Sequence, residues 1–177
     1  MQSQLSGEIA TLQQQLLSAG REAVTICTAE SATSGRIADL LTGIPGASDY
    51  FLGGLVAYSN EVKHRLLRVR LSTLRHFGAV SPQVAGEMAI GGRRAFGATV
   101  CVADTGVAGP GGGSDAKPVG LFFLALATPD ACIVQSHRFT ADREGNKAAA
   151  AGAALTLVRD YLLQCCGIQG VNTNGNL

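Results

Sequence analysis

Tryptophan is absent from this chain, and aromatic residues make up only 5% of it. A core at native density must therefore be assembled from Ala, Val, Leu and Ile, and with 46% of 177 residues hydrophobic there is enough material for one. No basic run exceeds a pair, Arg93-Arg94, and 14 basic residues face 13 acidic ones for a formal charge of +1. Nucleic-acid binders normally carry a basic stripe, so no nucleic-acid partner is expected. No apolar run approaches the roughly 20 residues that span a bilayer. Residues 1–20 lack the basic start and apolar centre of a signal peptide, so a soluble, cytoplasmic protein with no membrane partner is expected. The five cysteines, Cys27, Cys101, Cys132, Cys165 and Cys166, form neither a disulfide framework nor a zinc spacing, which fits a reducing compartment. His64, His76 and His137 are scattered and suggest no metal site.

What is present alternates between two periods. Leu5, Ile9, Leu12, Leu16 and Leu17 trace one helical face that Gly20 closes. Ala23–Thr28 reads as a buried strand, and Ile37, Leu40 and Leu41 continue at helical spacing after a small-residue turn. Tyr50–Tyr58 reads as a strand, followed by short helices through Val62 and Leu66 and over Leu71–Phe77. Ser81-Pro82 opens a helix that runs to about Phe96. Thr99–Ala103 reads as a strand and Thr105–Lys117 as a glycine-rich loop. Val119–Thr128 and Cys132–Thr140 form a hairpin about Pro129-Asp130, and Ala148–Leu163 a closing helix. The expectation is a single α/β domain over residues 1–166, a three-layer α/β/α arrangement with a mixed central sheet, and a flexible tail over 167–177. An exposed apolar helix face would favour a homodimer.

Four segments could carry chemistry. Glu30-Ser31-Ala32-Thr33-Ser34-Gly35 sits at a strand-to-helix turn, where hydroxyls and amides can hold an anion or simply cap the helix. Ser48, Tyr58 and Lys63 offer a hydroxyl, a relay and an amine; a lysine acts as base only if burial leaves it neutral. The glycines of Thr105–Gly113 let a backbone approach a ligand closely, but the Gly-Lys-Ser/Thr ending of a Walker loop is missing. Asp142 reads as a helix cap, and Arg143 beside it can clamp a phosphate or lie solvated.

Taken together these motifs resemble the CinA C-terminal-domain family, whose enzymes are nicotinamide-nucleotide amidases. The resemblance rests on Glu30-Ser31-Ala-Thr33-Ser-Gly35, Pro45-Gly46-Ala-Ser48 and Tyr58-Ser59-Asn60-Glu-Val-Lys63. It continues in Gly78-Ala-Val-Ser81, Thr105-Gly106-Val-Ala108-Gly109-Pro110-Gly-Gly112-Gly113 and Lys117-Pro-Val-Gly120, so it runs from about residue 5 to 163. Ala32 and Ser34 depart from the usual Cys and Gly of the first motif, and Lys147 stands where the family often has Arg. Members also occur fused to a further N-terminal domain, which is not expected here.

The resemblance implies hydrolysis of nicotinamide mononucleotide to nicotinate mononucleotide and ammonia, in the pyridine nucleotide cycle, by a serine nucleophile with a lysine base. Ser31 and Ser48 are both motif serines. The favoured pairing is Ser48 with Lys63, near Tyr58, with Ser31 and Thr105 as hydrogen-bond donors. Glu30, Thr33, Gly35, Thr105, Gly106, Ala108, Gly109, Gly112, Lys117 and Arg143 are the implied substrate contacts. The implied partner is the small-molecule mononucleotide; no metal and no organic cofactor is implied. The alternative reading is an inactive paralogue that binds a nucleotide as a sensor or partner protein.

Overall fold

β1 (Ile26–Glu30) is buried at every position, so both its faces must be covered. In the computed structural model, which describes residues 2–168, β1 pairs in parallel with β2 (Phe51–Val56) on one side and β3 (Val100–Gly106) on the other. β4 (Leu121–Ala127) and β5 (Cys132–Arg138) continue the sheet antiparallel, giving the order β2-β1-β3-β4-β5. One face carries α1 (Gln2–Ser18), α2 (Arg36–Thr42) and α6 (Arg143–Cys165). The other carries α3 (Asn60–Leu67), α4 (Leu71–Phe77) and α5 (Pro82–Phe96). The expected three-layer α/β/α fold with a mixed sheet is the one observed. Among the described residues no helix is long and apolar enough to cross a membrane.

The two faces solve the lack of aromatics differently. Toward α6 the strands present Ile26, Val100, Val102, Phe122, Leu124 and Leu126, against the alanines Ala150, Ala151 and Ala154. Toward α5 they present Cys27, Ala29, Cys101, Ala103, Ala125 and Ala127. Small strand residues let α5 approach closely, and its glycines keep that approach open. A Cβ on Gly92 would lie 2.6 Å from the Cys101 sulfur, and one on Gly91 only 1.8 Å from the Leu67 carbonyl oxygen. Gly91 thereby fixes the end of α3 against α5.

Several boundaries differ from expectation for identifiable reasons. β1 starts at Ile26 rather than Ala23, because the buried Gln13 side chain takes both backbone groups of Val24, at 2.7 and 3.0 Å. β3 runs on through Asp104, Thr105 and Gly106, which pair with β4, so the glycine loop begins only after it. α6 begins at Arg143, five residues before Ala148, because the Asp142 carboxylate accepts the Gly145 amide at 2.8 Å and caps it there. Most of the expected tail 167–177 lies outside the described residues.

Gly91→Ala would ordinarily gain helix propensity, but here the new methyl meets backbone. The variant is expected to lose about 2–3 kcal/mol of stability, seen as a lower urea midpoint at unchanged slope. An unchanged midpoint would mean that α3 and α5 part freely.

Candidate active site

The chain leaves β1 through α2 on one face to reach β2, then returns through α3–α5 on the other face to reach β3. The strand order therefore reverses between β1 and β3, the position beyond whose carboxyl ends open α/β sheets place their ligands. Residues Glu30–Gly35 and Asp104–Gly106 meet at that point.

Two buried carboxylates organise the turn. Glu30, 1% exposed, accepts the amides of Gly35 at 2.8 Å, Ile37 at 3.1 Å and Ala38 at 2.9 Å. It caps α2, a task expected of Ser31, Thr33 and Ser34. Asp104, fully buried, accepts the amides of Ser31 at 2.9 Å, Ala32 at 2.9 Å and Thr33 at 3.2 Å. The Thr33 hydroxyl reaches both Glu30, at 2.7 Å, and Asp104. Burial pushes the Asp104 carboxyl up to about 6; donors from Thr33 and Ser31 oppose this, and the negative charge of Glu30 adds to it.

Lys63 projects from α3 into the same place and is 1% exposed. Its Nζ donates to the Ala57 carbonyl at 2.6 Å and the Tyr58 carbonyl at 3.1 Å, and lies 2.9 Å from Ser31 Oγ. As an ammonium it gives its third proton to the serine. As a neutral amine it keeps two N–H groups on the two carbonyls, and its lone pair is left for the serine hydroxyl. Burial lowers Lys63 to about 8, against an upward pull from the Asp104 charge. A serine hydroxyl beside a lysine held this way is an arrangement that can activate a nucleophile.

This geometry corrects the expected pairing. Ser48 is exposed in the 3₁₀ turn Ala47–Asp49 that precedes β2, whereas Lys63 comes after β2. Six strand residues carry the chain to the opposite end of the sheet, on the order of 20 Å away. Ser48 cannot meet Lys63 within one chain, and Ser31 occupies the position instead. Tyr58 contributes its carbonyl, not its phenol, and its side chain is turned outward at 65% exposed.

The expected substrate contacts also divide. Glu30, Thr33 and Gly35 are internal scaffold, with their polar groups bonded to one another and to the turn. Thr105 donates its hydroxyl to the Ala79 carbonyl at 2.8 Å, and Lys117 its ammonium to the Phe77 carbonyl at 2.5 Å, so both fasten the loop around residues 77–81. Gly106 leaves room for the Phe122 ring, 2.5 Å from where its Cβ would be. Ala108 and Gly109 offer their carbonyls to Asn146 at 3.1 Å and Arg143 at 2.6 Å, which ties the glycine loop to the start of α6. Arg36, at the start of α2, pairs with Glu144 at 2.6 Å and brings the same helix end to the Ser31 turn. Among the described residues the amides of Ala108, Gly109, Gly111, Gly112 and Gly113 meet no protein acceptor. Those of Ser31–Thr33 are consumed by Asp104, so most of the free donors for an anion lie in the loop, and the turn keeps only the amide of the exposed Ser34. Two open clefts of about 600 and 630 Å³ lie elsewhere, on the outer side of α3–α5, and contain neither Ser31 nor Lys63.

Sequence reasoning missed Asp104, Asn146 and Arg36. Asp104 had a signal, a lone acid directly after the buried run TVCVA; Asn146 and Arg36 had none.

The profile of the CinA C-terminal domain family matches residues 9–162. CinA-like proteins of Geobacter sulfurreducens and Synechococcus sp. are 47% identical over 140 residues and 49% over 138. These matches cover 79% and 76% of this chain, but only 34% and 33% of those proteins. The chain thus spans about a third of the length of these relatives. The structure superposes on the competence-damaged protein (CinA) superfamily protein of Klebsiella pneumoniae 700603 with a TM-score of 0.84 at 31% identity, covering 93% of this chain and 99% of that one. For the competence/damage inducible protein CihA of Agrobacterium tumefaciens the score is 0.80 at 35% identity, covering 92% and 95%.

Ser34, at the position where the resembled motif usually has glycine, has a φ of 58°, in the left-handed region. A side chain there is strained. Ser34→Gly is expected to raise stability by up to about 1 kcal/mol, read as a higher urea midpoint. A lower midpoint would show that the contacts of the Ser34 hydroxyl with the Ser31 and Ala32 carbonyls outweigh the strain.

Proposed function

Since the chain belongs to the CinA C-terminal domain family, we propose that it hydrolyses the carboxamide of nicotinamide mononucleotide, with Ser31 as nucleophile and Lys63 as base. The observation that carries this reading is the buried Lys63 Nζ, 2.9 Å from Ser31 Oγ with its other two hydrogens held by carbonyls. Neutral Lys63 takes the Ser31 proton as Oγ attacks the carboxamide carbon. The resulting ammonium lies beside the developing negative charge and returns a proton to the departing nitrogen, which leaves as ammonia. Water, deprotonated by the same amine, then attacks the acyl-serine and releases nicotinate mononucleotide. Arg143 and the free amides of the glycine loop hold the phosphate end.

Incubation with nicotinamide mononucleotide should release ammonia and nicotinate mononucleotide in equal amounts. The base sets the sign of the pH dependence. Lys63 must lose its proton to act, so the rate should rise as pH passes through about 8. Lys63→Arg keeps the charge but cannot deprotonate, and should lose about 10²–10⁴-fold in turnover while the fold survives. Near-normal turnover in that variant, or binding without ammonia release by the wild type, would overturn the assignment.

Arg143 gives a separate test of the phosphate end. Arg143→Ala should weaken binding of the mononucleotide by about 1.5–3 kcal/mol and leave the riboside, which lacks the phosphate, almost unaffected. Equal losses for both would reduce Arg143 to a support of the Gly109 loop.

A further inference from the structure

We infer that Asp104 is the positioning residue of the Ser31–Lys63 pair: it holds the turn that aims the serine at the lysine, and its buried charge acts on the lysine from within the same site. The inference rests on the reading of those two residues as nucleophile and base. Three successive backbone amides converging on one point form a nest, an arrangement that commonly receives a ligand anion. Here the amides of Ser31, Ala32 and Thr33 converge on a carboxylate of the chain itself. That carboxylate comes from β3, the strand beside β1 across the switch point, and is fully buried. No solvent shares its contacts, so its position dictates the turn. Ser31 is the first residue of the nest, and its Cα direction is set by the bond that its own amide makes to Asp104. The hydroxyl is thereby delivered to Lys63 Nζ, which Ala57 and Tyr58 hold from the other side.

The charge acts through space. Among the described residues no carboxylate lies within ion-pair distance of Lys63, yet Asp104 is the charged group that raises its proton affinity. The other charged group facing Asp104 is Glu30, from β1. Asp104 therefore opposes burial: it stabilises the ammonium that forms when the serine gives up its proton. Removing the charge should let burial lower the lysine further. Removing the shape should misplace the serine without moving the lysine's titration.

Two variants separate these effects. Asp104→Asn keeps an acceptor oxygen, loses the charge and turns an NH₂ group toward amide donors. Asp104→Glu keeps the charge but adds a methylene in a fully buried site, which moves the carboxylate relative to the three amides. The rate at which a fluorophosphonate probe labels Ser31, measured against pH, reads both effects. The wild-type rate should rise through about pH 8. In Asp104→Asn the rise should move to lower pH and the plateau should fall at least tenfold per folded molecule. In Asp104→Glu the plateau should fall with the rise in place. The ¹³Cε resonance of Lys63, titrated in wild type and variants, reports the lysine without any reaction. Absence of labelling in the wild type would count against the Ser31–Lys63 reading, and the resonance would still test the effect of Asp104. Variants with wild-type plateaus, or a lysine titration unmoved in Asp104→Asn, would overturn the inference. Should Asp104→Asn not fold, the plateau in Asp104→Glu decides, and a value equal to wild type overturns the positioning role.

Discussion

The amides of Ser31, Ala32 and Thr33 all end on one buried carboxylate, and the geometry of the candidate site depends on that bond set. A carboxylate taken out of water is costly unless its lone pairs are filled. Asp104 meets this condition with backbone donors and the Thr33 hydroxyl, and Glu30 meets it with the first amides of α2 and the same hydroxyl. Among the described residues neither carboxylate forms an ion pair with a lysine or arginine. The turn is thus held by hydrogen bonds to anions rather than by ion pairs, and the nearby cation, Lys63, is left to the serine.

That the lysine can reach the serine depends on packing several residues away. The strand face toward α5 is built from Cys and Ala, and α5 meets the sheet and α3 through Gly92 and Gly91. This close approach seats the end of α3 at Leu67 and fixes the helix that carries Lys63. The N-terminus of that helix is capped by the Ser59 hydroxyl, 3.2 Å from the Val62 amide, directly after the two carbonyls that grip Nζ. Ala57 makes a last bond to β1 through its amide, 2.7 Å from the Glu30 carbonyl, and beyond it the Ala57 and Tyr58 carbonyls turn to Nζ. A lysine is tolerated at 1% exposure because all three of its donors have acceptors.

Much of the fold was legible because local pattern and global packing agree. Apolar runs marked the strands, Ser81-Pro82 marked the start of α5, and Pro129-Asp130 marked the hairpin. The residues lost were those whose partners are distant in sequence: Gln13 standing in for a strand neighbour of Val24, and Asp104 reaching back some seventy positions to the Ser31 turn. The pairing of Ser48 with Lys63 failed for a reason the topology contains. Fifteen positions separate the two, but a parallel strand lies between them, so residues before that strand and residues after it face opposite ends of the sheet. Ser31 comes after β1 as Lys63 comes after β2, and parallel strands bring such positions together. Sequence distance was a poor guide; strand direction was the relevant one.

The same set of bonds explains where a ligand's negative charge can go. A strand-to-helix turn ordinarily offers its amides to an anion, and here every amide from Ser31 to Thr33 is already occupied by Asp104. Beyond the exposed Ser34 amide, an external anion must find its donors elsewhere, and most of the free amides lie in the loop after β3. That loop needs glycine on steric grounds: Gly109 has a φ of 92°, and a Cβ there would sit 2.6 Å from the Val119 side chain. Its carbonyl at Ala108 faces Asn146, so the Gly109 amide of the same peptide is turned away from α6, and the Gly109 carbonyl is held by Arg143. Filling the turn with an internal carboxylate and emptying the loop are two halves of one arrangement. The Ser31 turn thus has its hydroxyl beside the Lys63 amine and its amides filled, while the glycine loop keeps amides able to meet a charge.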